Sequence, residues 1–400
     1  MGLDAANLGL LTAVYFLVLA GAQIPIGVLL DRFGPRRVQS VLLVVAAGGA
    51  ALFGASTGFL ELLIARALIG IGVAAALMAG LKAVVTWFPR ERVALINGYM
   101  IMLGALGAVT ATVPAEWLMG YAGWRGLFEL SAVATLATAL LIFLAVPEAA
   151  QPVVTRRPSL RVIYRDPRFW RIAPLSASCI GSAWSLQGLW AAPWLADVER
   201  FNREALIAQL FLMAIGVCLG ALLLGTIADR LRRRGIGTET LFVAVVALFL
   251  IAELALIMRL PLPSLLPWVV VSIVSAATVL SFAIIAEYFP SELAARANGS
   301  LNVLHFGWAF VAQYGTGLIL EQWTPQDGHY PAIAYQAAFT VSVAVQILAL
   351  IWFVVPWLRS LDWRAQASIL RDLVNDKVPV EAIIASAEIS MFEPHESGAW

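Results

Sequence analysis

The chain has 400 residues, of which 61% are hydrophobic and only 13% are charged, and its formal net charge is +1. Soluble domains are usually about 45–50% apolar, and a soluble surface for a chain of this length needs far more charge. The composition therefore excludes an ordinary soluble globular protein, and the near-neutral charge gives no indication of a nucleic-acid partner. Both cysteines, Cys179 and Cys218, lie in apolar runs and are interpreted as packing residues.

Apolar stretches recur along nearly the whole chain. Each is about 20 residues long or longer, which is enough to cross a hydrocarbon layer of about 30 Å. Each must form a helix, because lipid offers no hydrogen-bond partner to an open backbone. The sequence thus predicts an all-α polytopic membrane protein with eleven spans, at residues 8–30, 38–57, 60–88, 96–116, 126–146, 172–196, 205–228, 239–259, 265–289, 296–320 and 334–357.

The first loop between spans, GVLLDRFGPRR at residues 27–37, gathers charge between two uncharged stretches. Most of the 26 Lys and Arg residues fall in this loop, in every second loop after it and in the tail. Basic loops stay on the cytoplasmic side of a membrane. We therefore expect residues 27–37, a linker at 147–171 and a tail at 359–400 to be cytoplasmic, in a protein of the cell inner (plasma) membrane.

The chain also contains an internal repeat. Two patterns of the first half recur in the same order and the same orientation in the second half, which indicates a parallel repeat about an axis normal to the membrane. The patterns are Gly27-xxx-Asp31-Arg32-xxx-Arg36 with Gly225-xxx-Asp229-Arg230-xxx-Arg234, and Phe88-Pro89-x-Glu91 with Phe289-Pro290-x-Glu292. We predict an N-terminal bundle at 1–146 and a C-terminal bundle at 172–358, joined by the linker.

The charged loop closely resembles the signature between the second and third helices of the major facilitator superfamily. The matching run is Gly27-Val-Leu-Leu-Asp31-Arg32-Phe-Gly34-Pro-Arg36-Arg37. Arg66-xxx-Gly70-x-Gly72 resembles the fourth-helix motif of that superfamily, and Tyr335-Gln336-Ala-Ala-Phe339 resembles the entry to its last helix. The resemblance implies twelve helices in two pseudo-symmetric bundles, transport by alternating access, no cofactor and no enzymatic activity.

One departure from the family concerns the first helix. The second half has room for a helix before Gly225 that the first half lacks before Gly27, so the first span here matches the second helix of the family. The family's first helix lines its central cavity. We therefore expect an in-frame coding extension upstream of Met1, on the order of 30 to 40 codons, that encodes one more apolar run.

The charged loop is interpreted as a conformational latch. A carboxylate at the end of a helix, such as Asp31, is unfavourable unless nearby cations compensate the negative helix terminus. In the family this Asp faces the start of the eleventh helix, here residues 292–297, and the contact breaks when the pathway faces inward. A membrane anchor is the alternative, and it is as plausible as a latch for the second copy. The latch residues are Gly27, Asp31, Arg32, Gly34, Arg36 and Arg37, with Gly225, Asp229, Arg230 and Arg234.

Two cations lie inside a span, where charge is expensive and indicates function. Arg66 is predicted to line a cavity, and the alternative is structural pairing with an acid (Glu61, Glu116 or Glu129). Lys82 lies sixteen residues further on, so a straight helix cannot direct both side chains into one cavity. For Lys82 the alternative is snorkelling of its ammonium group to the membrane interface.

Further candidates for the substrate or proton pathway lie in the second half. Gln187, Trp190 and Trp194 share one arc of a helix and suit a cavity wall, while a lipid-interface belt is the alternative, above all for Trp194. His305 is the only histidine inside a span, and Glu287 and Glu253 are further candidate proton carriers. Residue spacing shows no metal-ligand pattern.

These observations predict a secondary active transporter for a small organic solute. We expect the solute to be anionic, because Arg66 and Lys82 have no matching acid in the predicted cavity, and we expect a proton to be the coupling ion. Drug or metabolite efflux by proton antiport is the alternative within the class. A non-transporting membrane sensor or assembly partner with the same fold is the alternative from another class. The protein is expected to act as a monomer.

Overall fold

A computed structural model describes residues 4–147 and 160–375 of the chain. These residues form helices and connecting turns without any strand, which confirms the predicted all-α fold. The remainder of the predicted linker and tail lies outside the described residues. The α-helices are α1 Ala5–Ala55, α2 Phe59–Val73, α3 Ala76–Trp87, α4 Arg90–Thr110, α5 Val113–Ala145, α6 Leu160–Arg165, α7 Pro167–Ser185, α8 Ala191–Asp197, α9 Arg203–Arg233, α10 Thr238–Ile257, α11 Leu265–Ser275, α12 Thr278–Tyr288, α13 Ser291–Leu320 and α14 Ala332–Asn375.

Eight helical stretches of the described chain are long and apolar enough to cross a membrane. The longest, α1, has 51 residues and carries two of the predicted spans. At 1.5 Å per residue a straight helix of this length would measure about 76 Å, far more than a bilayer needs. With α1 counted as two crossings, and with α4 and the α7–α8 segment added, the described helices supply the eleven predicted crossings. This is a multi-pass membrane protein.

Gly34 divides α1 into two arms. Its backbone has φ 77° and ψ 164°, a conformation that disfavours any residue with a side chain, and Pro35 follows it directly. The predicted tight reversal is therefore present, and it is formed by a single glycine.

Gly123, with φ 67°, bends α5 in the same way. The predicted end of one span at 116 and the predicted start of the next at 126 were wrong by several residues. α4 ends at Thr110, and α5 begins at Val113, before the bend at Gly123.

Three predicted spans are interrupted near their middle. α2 gives way to α3 at Ala74–Ala75, and α11 gives way to α12 at Ala276–Ala277. Between α7 and α8 the segment Leu186–Trp190 forms a π-helix. Such one-turn π segments widen a helix locally and are frequent at functional sites.

Two glycines of the fourth-helix motif explain how α2 packs on α1. A Cβ atom added at Gly70 would lie 3.2 Å from the carbonyl oxygen of Tyr15, on the first arm of α1. A Cβ atom added at Gly72 would lie 2.4 Å from the backbone nitrogen of Ala46, on the second arm. Both contacts are with backbone, which cannot move aside like a flexible side chain. The motif therefore lets one helix approach both arms of α1.

α13 connects the two halves of the repeat. It packs against α1 of the first half and against α7 of the second. A Cβ atom added at Gly181 of α7 would lie 2.8 Å from the His305 carbonyl oxygen, so α7 and α13 also pack at backbone distance. The first compact unit of the chain ends at Leu350, and residues 351–375 of the second unit are helical. The domain boundaries at 146, 171 and 358 stay predictions.

Candidate functional site

Four aromatic side chains lie where α1, α7 and α13 meet, and we call Tyr15, Phe16, Trp184 and Phe306 the aromatic cluster. The Phe16 ring stacks on Trp184 at 6.3 Å between centroids and on Phe306 at 6.2 Å. Trp184 and Phe306 are 5.2 Å apart, and Tyr15 meets Phe16 edge-on at 5.6 Å. The cluster therefore joins the two halves of the molecule through half-buried rings.

Arg66 of α2 extends toward this cluster. Its Cζ atom lies 5.4 Å from the Tyr15 ring centroid, in a cation–π contact. Its Nε atom is buried and has no hydrogen-bond partner. Among the described residues the guanidinium group has neither an ion pair nor a hydrogen bond. A buried donor without a partner is costly, so this arrangement suits a ligand that accepts hydrogen bonds and carries negative charge.

The three acids considered as structural partners of Arg66 have other contacts. Glu61 accepts from the backbone nitrogens of Thr57 and Gly58 at 2.6 and 3.2 Å, at the start of α2. Glu116 pairs with Arg203 at 2.5 Å. Glu129 lies beside Gly54, where an added Cβ atom would be 3.3 Å from its Cγ atom. Structural pairing of Arg66 with these acids is absent from the structure.

Lys82 lies away from Arg66. Its Nζ atom donates to Asp31 Oδ1 at 3.0 Å and to the Leu30 carbonyl oxygen at 2.7 Å. Asp31 therefore pairs within its own half. The family resemblance led us to expect a contact between Asp31 and the start of α13. Lys82, for its part, belongs with the latch residues and not with the aromatic cluster.

The other latch residues of the first half surround the bend at Gly34. Arg36 Nε donates to the Phe143 carbonyl oxygen at 2.9 Å, which ties the bend to the end of α5. Arg32 lies over the Phe33 ring at 5.1 Å. Arg37 is exposed, and Gly27 has open space where a Cβ atom would be.

The second copy of the latch forms different pairs. Asp229 accepts from Arg232 at 3.0 Å and from Arg233 at 2.8 Å, both within the last turns of α9. The predicted latch residues Arg230 and Arg234 are exposed, and Gly225 has open space where a Cβ atom would be. A surface ion pair within one helix contributes little energy, which agrees with anchoring as well as with a latch.

The predicted arc of the seventh family helix falls on the π-helical segment and α8. Trp190 is buried, and its Nε1 atom donates to the Gln313 carbonyl oxygen of α13 at 3.1 Å. Trp194 is also buried and stacks on Phe339 at 5.3 Å, so the lipid-interface alternative was wrong for this residue. Gln187 is half-buried. The π turn changes the helical register here, so the three side chains no longer follow one ideal arc.

His305 is fully buried on α13, next to the aromatic cluster. Its Nε2 atom lies 2.7 Å from Ser176 Oγ of α7, and its ring meets Trp184 at 5.8 Å. Its Nδ1 atom has no hydrogen-bond partner within the described ranges. Glu287, in contrast, is exposed at the end of α12, where Thr238 donates to it at 3.3 Å.

We call the end at which α1 begins the outer end and the end at Gly34 the inner end. At the outer end the two halves meet closely: a Cβ atom added at Gly317 of α13 would lie 2.5 Å from the Ala5 carbonyl oxygen. The Ala5 backbone nitrogen also donates to the Tyr330 hydroxyl at 3.3 Å. At the inner end a Cβ atom added at Gly27 or at Gly299 would meet no other atom within 4 Å. This arrangement closes the outer end.

Sequence reasoning missed the aromatic cluster. Tyr15, Phe16 and Phe306 are ordinary apolar residues of predicted spans, and only the packing of α1 on α13 brings them together. Within the described ranges no group of three or more His, Cys, Asp or Glu residues is placed to hold a metal ion.

Comparison with known proteins agrees with this architecture. The family described as Major Facilitator Superfamily matches residues 1–313. The hexuronate transporter of Escherichia coli strain K12 is 28% identical over 231 residues, which cover 52% of this chain and 52% of that protein. A probable sulfoacetate transporter of Cupriavidus necator is 26% identical over 257 residues, 58% of this chain and 59% of that protein. This chain therefore spans little more than half the length of these relatives.

A solved structure gives the same fold. The bacterial homologue of the human lysosomal transporter Spinster, in an inward-facing and unoccupied conformation, matches with a TM-score of 0.70 and 18% sequence identity. The match covers 88% of this chain and 89% of that one. At this identity the likeness establishes the helical architecture alone.

Proposed function

Because this chain belongs to the Major Facilitator Superfamily, we propose that it is a secondary transporter that carries a small organic anion across the membrane and binds it at Arg66. The observation that carries the proposal is the Arg66 guanidinium group, whose Nε atom is buried without a partner and which no described acid neutralises. An unpaired cation inside an apolar bundle is costly, and a carboxylate or sulfonate ligand would satisfy it with charge-assisted hydrogen bonds.

The surroundings of Arg66 support an organic solute. The rings of the aromatic cluster offer apolar faces beside the guanidinium group, so a ligand with a charged head and a carbon skeleton meets complementary surfaces at both ends. The names of the relatives point the same way, since hexuronate and sulfoacetate are both organic anions. His305, next to the cluster, adds a ring nitrogen without a partner.

The mechanism we propose is alternating access. The approach of α1 to α13 closes the outer end. At the inner end Asp31 pairs with Lys82, so the latch carboxylate is bound to a residue of its own half. In the opposite state Asp31 would instead meet the start of α13. We further propose a proton as the coupling ion, a monomer as the working unit, and the inner membrane as the location, with linker and tail on the cytoplasmic side.

The function can be tested by uptake into proteoliposomes. Purified protein is reconstituted, and uptake of glucuronate and sulfoacetate is compared with uptake of glucose, a neutral compound of similar size. We expect saturable uptake of at least one organic anion and none of glucose. Preference for the neutral compound would contradict the anion assignment, and absence of any flux would favour the sensor alternative.

The latch gives a second expected result. Asp31→Asn removes the charge that pairs with Lys82 but keeps the size of the side chain, so the fold is expected to persist. A partly buried ammonium group left without its carboxylate changes the balance between the two states, and we expect anion flux to fall roughly tenfold. The measurement is initial uptake rate at matched protein amount.

Asp327→Asn is the matched control, because Asp327 is exposed in a turn at the outer end and its φ of 50° suits asparagine. The exchanged pair, Asp31→Lys with Lys82→Asp, should recover part of the flux. Wild-type flux in Asp31→Asn would show that the charge has no role in the latch.

A further inference from the structure

Glu253 is a buried acid that the proposed binding of the anion does not use. It lies near the end of α10, its side chain is fully buried, and neither carboxylate oxygen has a hydrogen-bond partner in the described part of the chain. An isolated ionised carboxylate in such surroundings is strongly unfavourable, so the group is either protonated or neutralised by a cation. The side chains around Glu253 decide between protonation and a neighbouring cation.

Among the described residues, Glu253 has no cation as a neighbour. Gln346 of α14 and Cys179 of α7 are the polar side chains that face it. α10 packs against α9, α11 and α12, and neither from these helices nor from α7 and α14 does a described charged side chain act on the carboxyl group. Cys179 is the titratable group facing it, and a thiol supplies no positive charge. A bound proton is therefore the means of neutralisation that these described surroundings leave for Glu253.

Gln346 provides a place for that proton. Its side-chain oxygen, Oε1, is buried and has no donor, while its Nε2 atom donates to Ser342 Oγ at 3.0 Å. Both Glu253 oxygens and the Gln346 side-chain oxygen are thus buried acceptors without a hydrogen-bond donor among the described residues. One proton on Glu253 turns a carboxylate oxygen into a hydroxyl group, which can donate a hydrogen bond to Gln346 Oε1.

A chain of hydrogen bonds leads from this pair toward α13. Ser342 Oγ donates to Ser182 Oγ of α7 at 3.1 Å, and Trp308 Nε1 of α13 donates to the same Ser182 oxygen at 3.0 Å. Trp308 lies one turn from His305, which borders the aromatic cluster. A buried polar network of this kind links protonation of one member to the hydrogen bonds of the others.

We infer that Glu253 is a proton-binding site in the second half of the molecule, connected to the anion site through Gln346, Ser342, Ser182 and Trp308. The inference rests on the proposed function, because it names the group that binds the coupling proton. The step is a simple protonation: the carboxylate takes one proton to become the neutral acid, and returns it when the network is rearranged. Movement of α13 during transport would disturb the contact of Trp308 with Ser182 and so reach Glu253.

Two measurements test the site, and the first needs no substrate. Infrared difference spectra of the purified protein across a pH titration should contain a carboxylic-acid band that is lost in Glu253→Gln. The same band should remain in Glu321→Gln, where the exposed Glu321 is replaced. A band that persists in Glu253→Gln would overturn the assignment of the proton to Glu253.

The second measurement concerns coupling. If one proton accompanies one monovalent anion, a gradient of one pH unit sustains up to about tenfold accumulation in proteoliposomes. Glu253→Gln should abolish this accumulation but retain exchange of labelled for unlabelled anion. Ser342→Ala, which keeps the acid and interrupts the chain, should reduce accumulation and keep the infrared band.

The outcomes separate the two proposals. Absence of anion transport by the wild type would contradict the proposed function, while the infrared band would still decide whether Glu253 holds a proton. If the wild type accumulates anions and Glu253→Gln accumulates them to the same level, the coupling role of Glu253 is overturned. If Glu253→Gln fails to fold, unchanged accumulation by Ser342→Ala overturns the connection to the anion site, and a loss of accumulation supports it.

Discussion

Replacing Arg66 with alanine is expected to weaken anion binding by at least about 30-fold, because removal of one partner of a desolvated charge pair costs about 2 kcal/mol or more. The amount of folded protein should change far less. Arg66 has no ion pair or hydrogen bond among the described residues, and its described contact is with the Tyr15 ring, so the empty protein loses little when the guanidinium group is removed. The measurements are the dissociation constant of the anion and the protein amount in the membrane.

Arg92→Gln is the matched control, since the Arg92 side chain is exposed near the start of α4 and distant in sequence from the bend and the cluster. Arg66→Lys should bind the anion with intermediate affinity, because lysine keeps the charge but lacks the planar guanidinium fork. Unchanged affinity in Arg66→Ala would contradict the proposed binding site. Failure of Arg66→Ala to accumulate, while Arg92→Gln accumulates normally, would make Arg66 a structural residue.

Replacing Gly317 with alanine should slow transport about tenfold, because overpacking against rigid backbone costs about 1–3 kcal/mol. The added Cβ atom would lie 2.5 Å from the Ala5 carbonyl oxygen and 3.2 Å from the Ala6 Cα atom. The outer ends of α1 and α13 would be held apart, and the state closed at the outer end would be depleted. Anion affinity should change little, since Arg66 and the aromatic cluster lie deeper along α2 and α1.

Gly315→Ala is the control for this experiment. It adds the same methyl group to the same helix, at a position with open space within 4 Å. The measurements are initial uptake rate and anion affinity at matched protein amount. Equal losses of flux in both variants would show that α13 merely tolerates no further bulk, and wild-type flux in Gly317→Ala would contradict a functional closure at this contact.

Much of the fold was predictable because a membrane restricts the possible structures. A lipid-facing backbone must satisfy its own hydrogen bonds, so the apolar runs had to be helices, and their number followed from length. The reversal at Gly34 was also readable, since a Gly-Pro pair forces a turn. The interruptions at Ala74–Ala75 and Ala276–Ala277 could not be predicted. A run of small apolar residues has the same sequence pattern whether the helix continues through it or is interrupted.

The site was only partly predictable. Arg66 and Lys82 stood out because charge in a span is rare, and helical geometry already placed them on different faces. The side chains that contact Arg66 and Lys82 could not be predicted in the same way. The pairing of Lys82 with Asp31, and the lack of an ion-pair partner for Arg66 among the residues that the structure describes, depend on which helices come into contact.

The amino-acid sequence by itself determined the membrane environment, the helical class and the repeated halves, because these follow from composition, span length and recurring motifs that are local in the chain. Only the tertiary structure decided which side chains share a site. The aromatic cluster joins α1, α7 and α13, and the network from Glu253 to Trp308 joins α10, α14, α7 and α13. Contacts of this kind depend on helix packing at glycines such as Gly72 and Gly181, where backbones approach closely, and that packing joins residues far apart in the sequence.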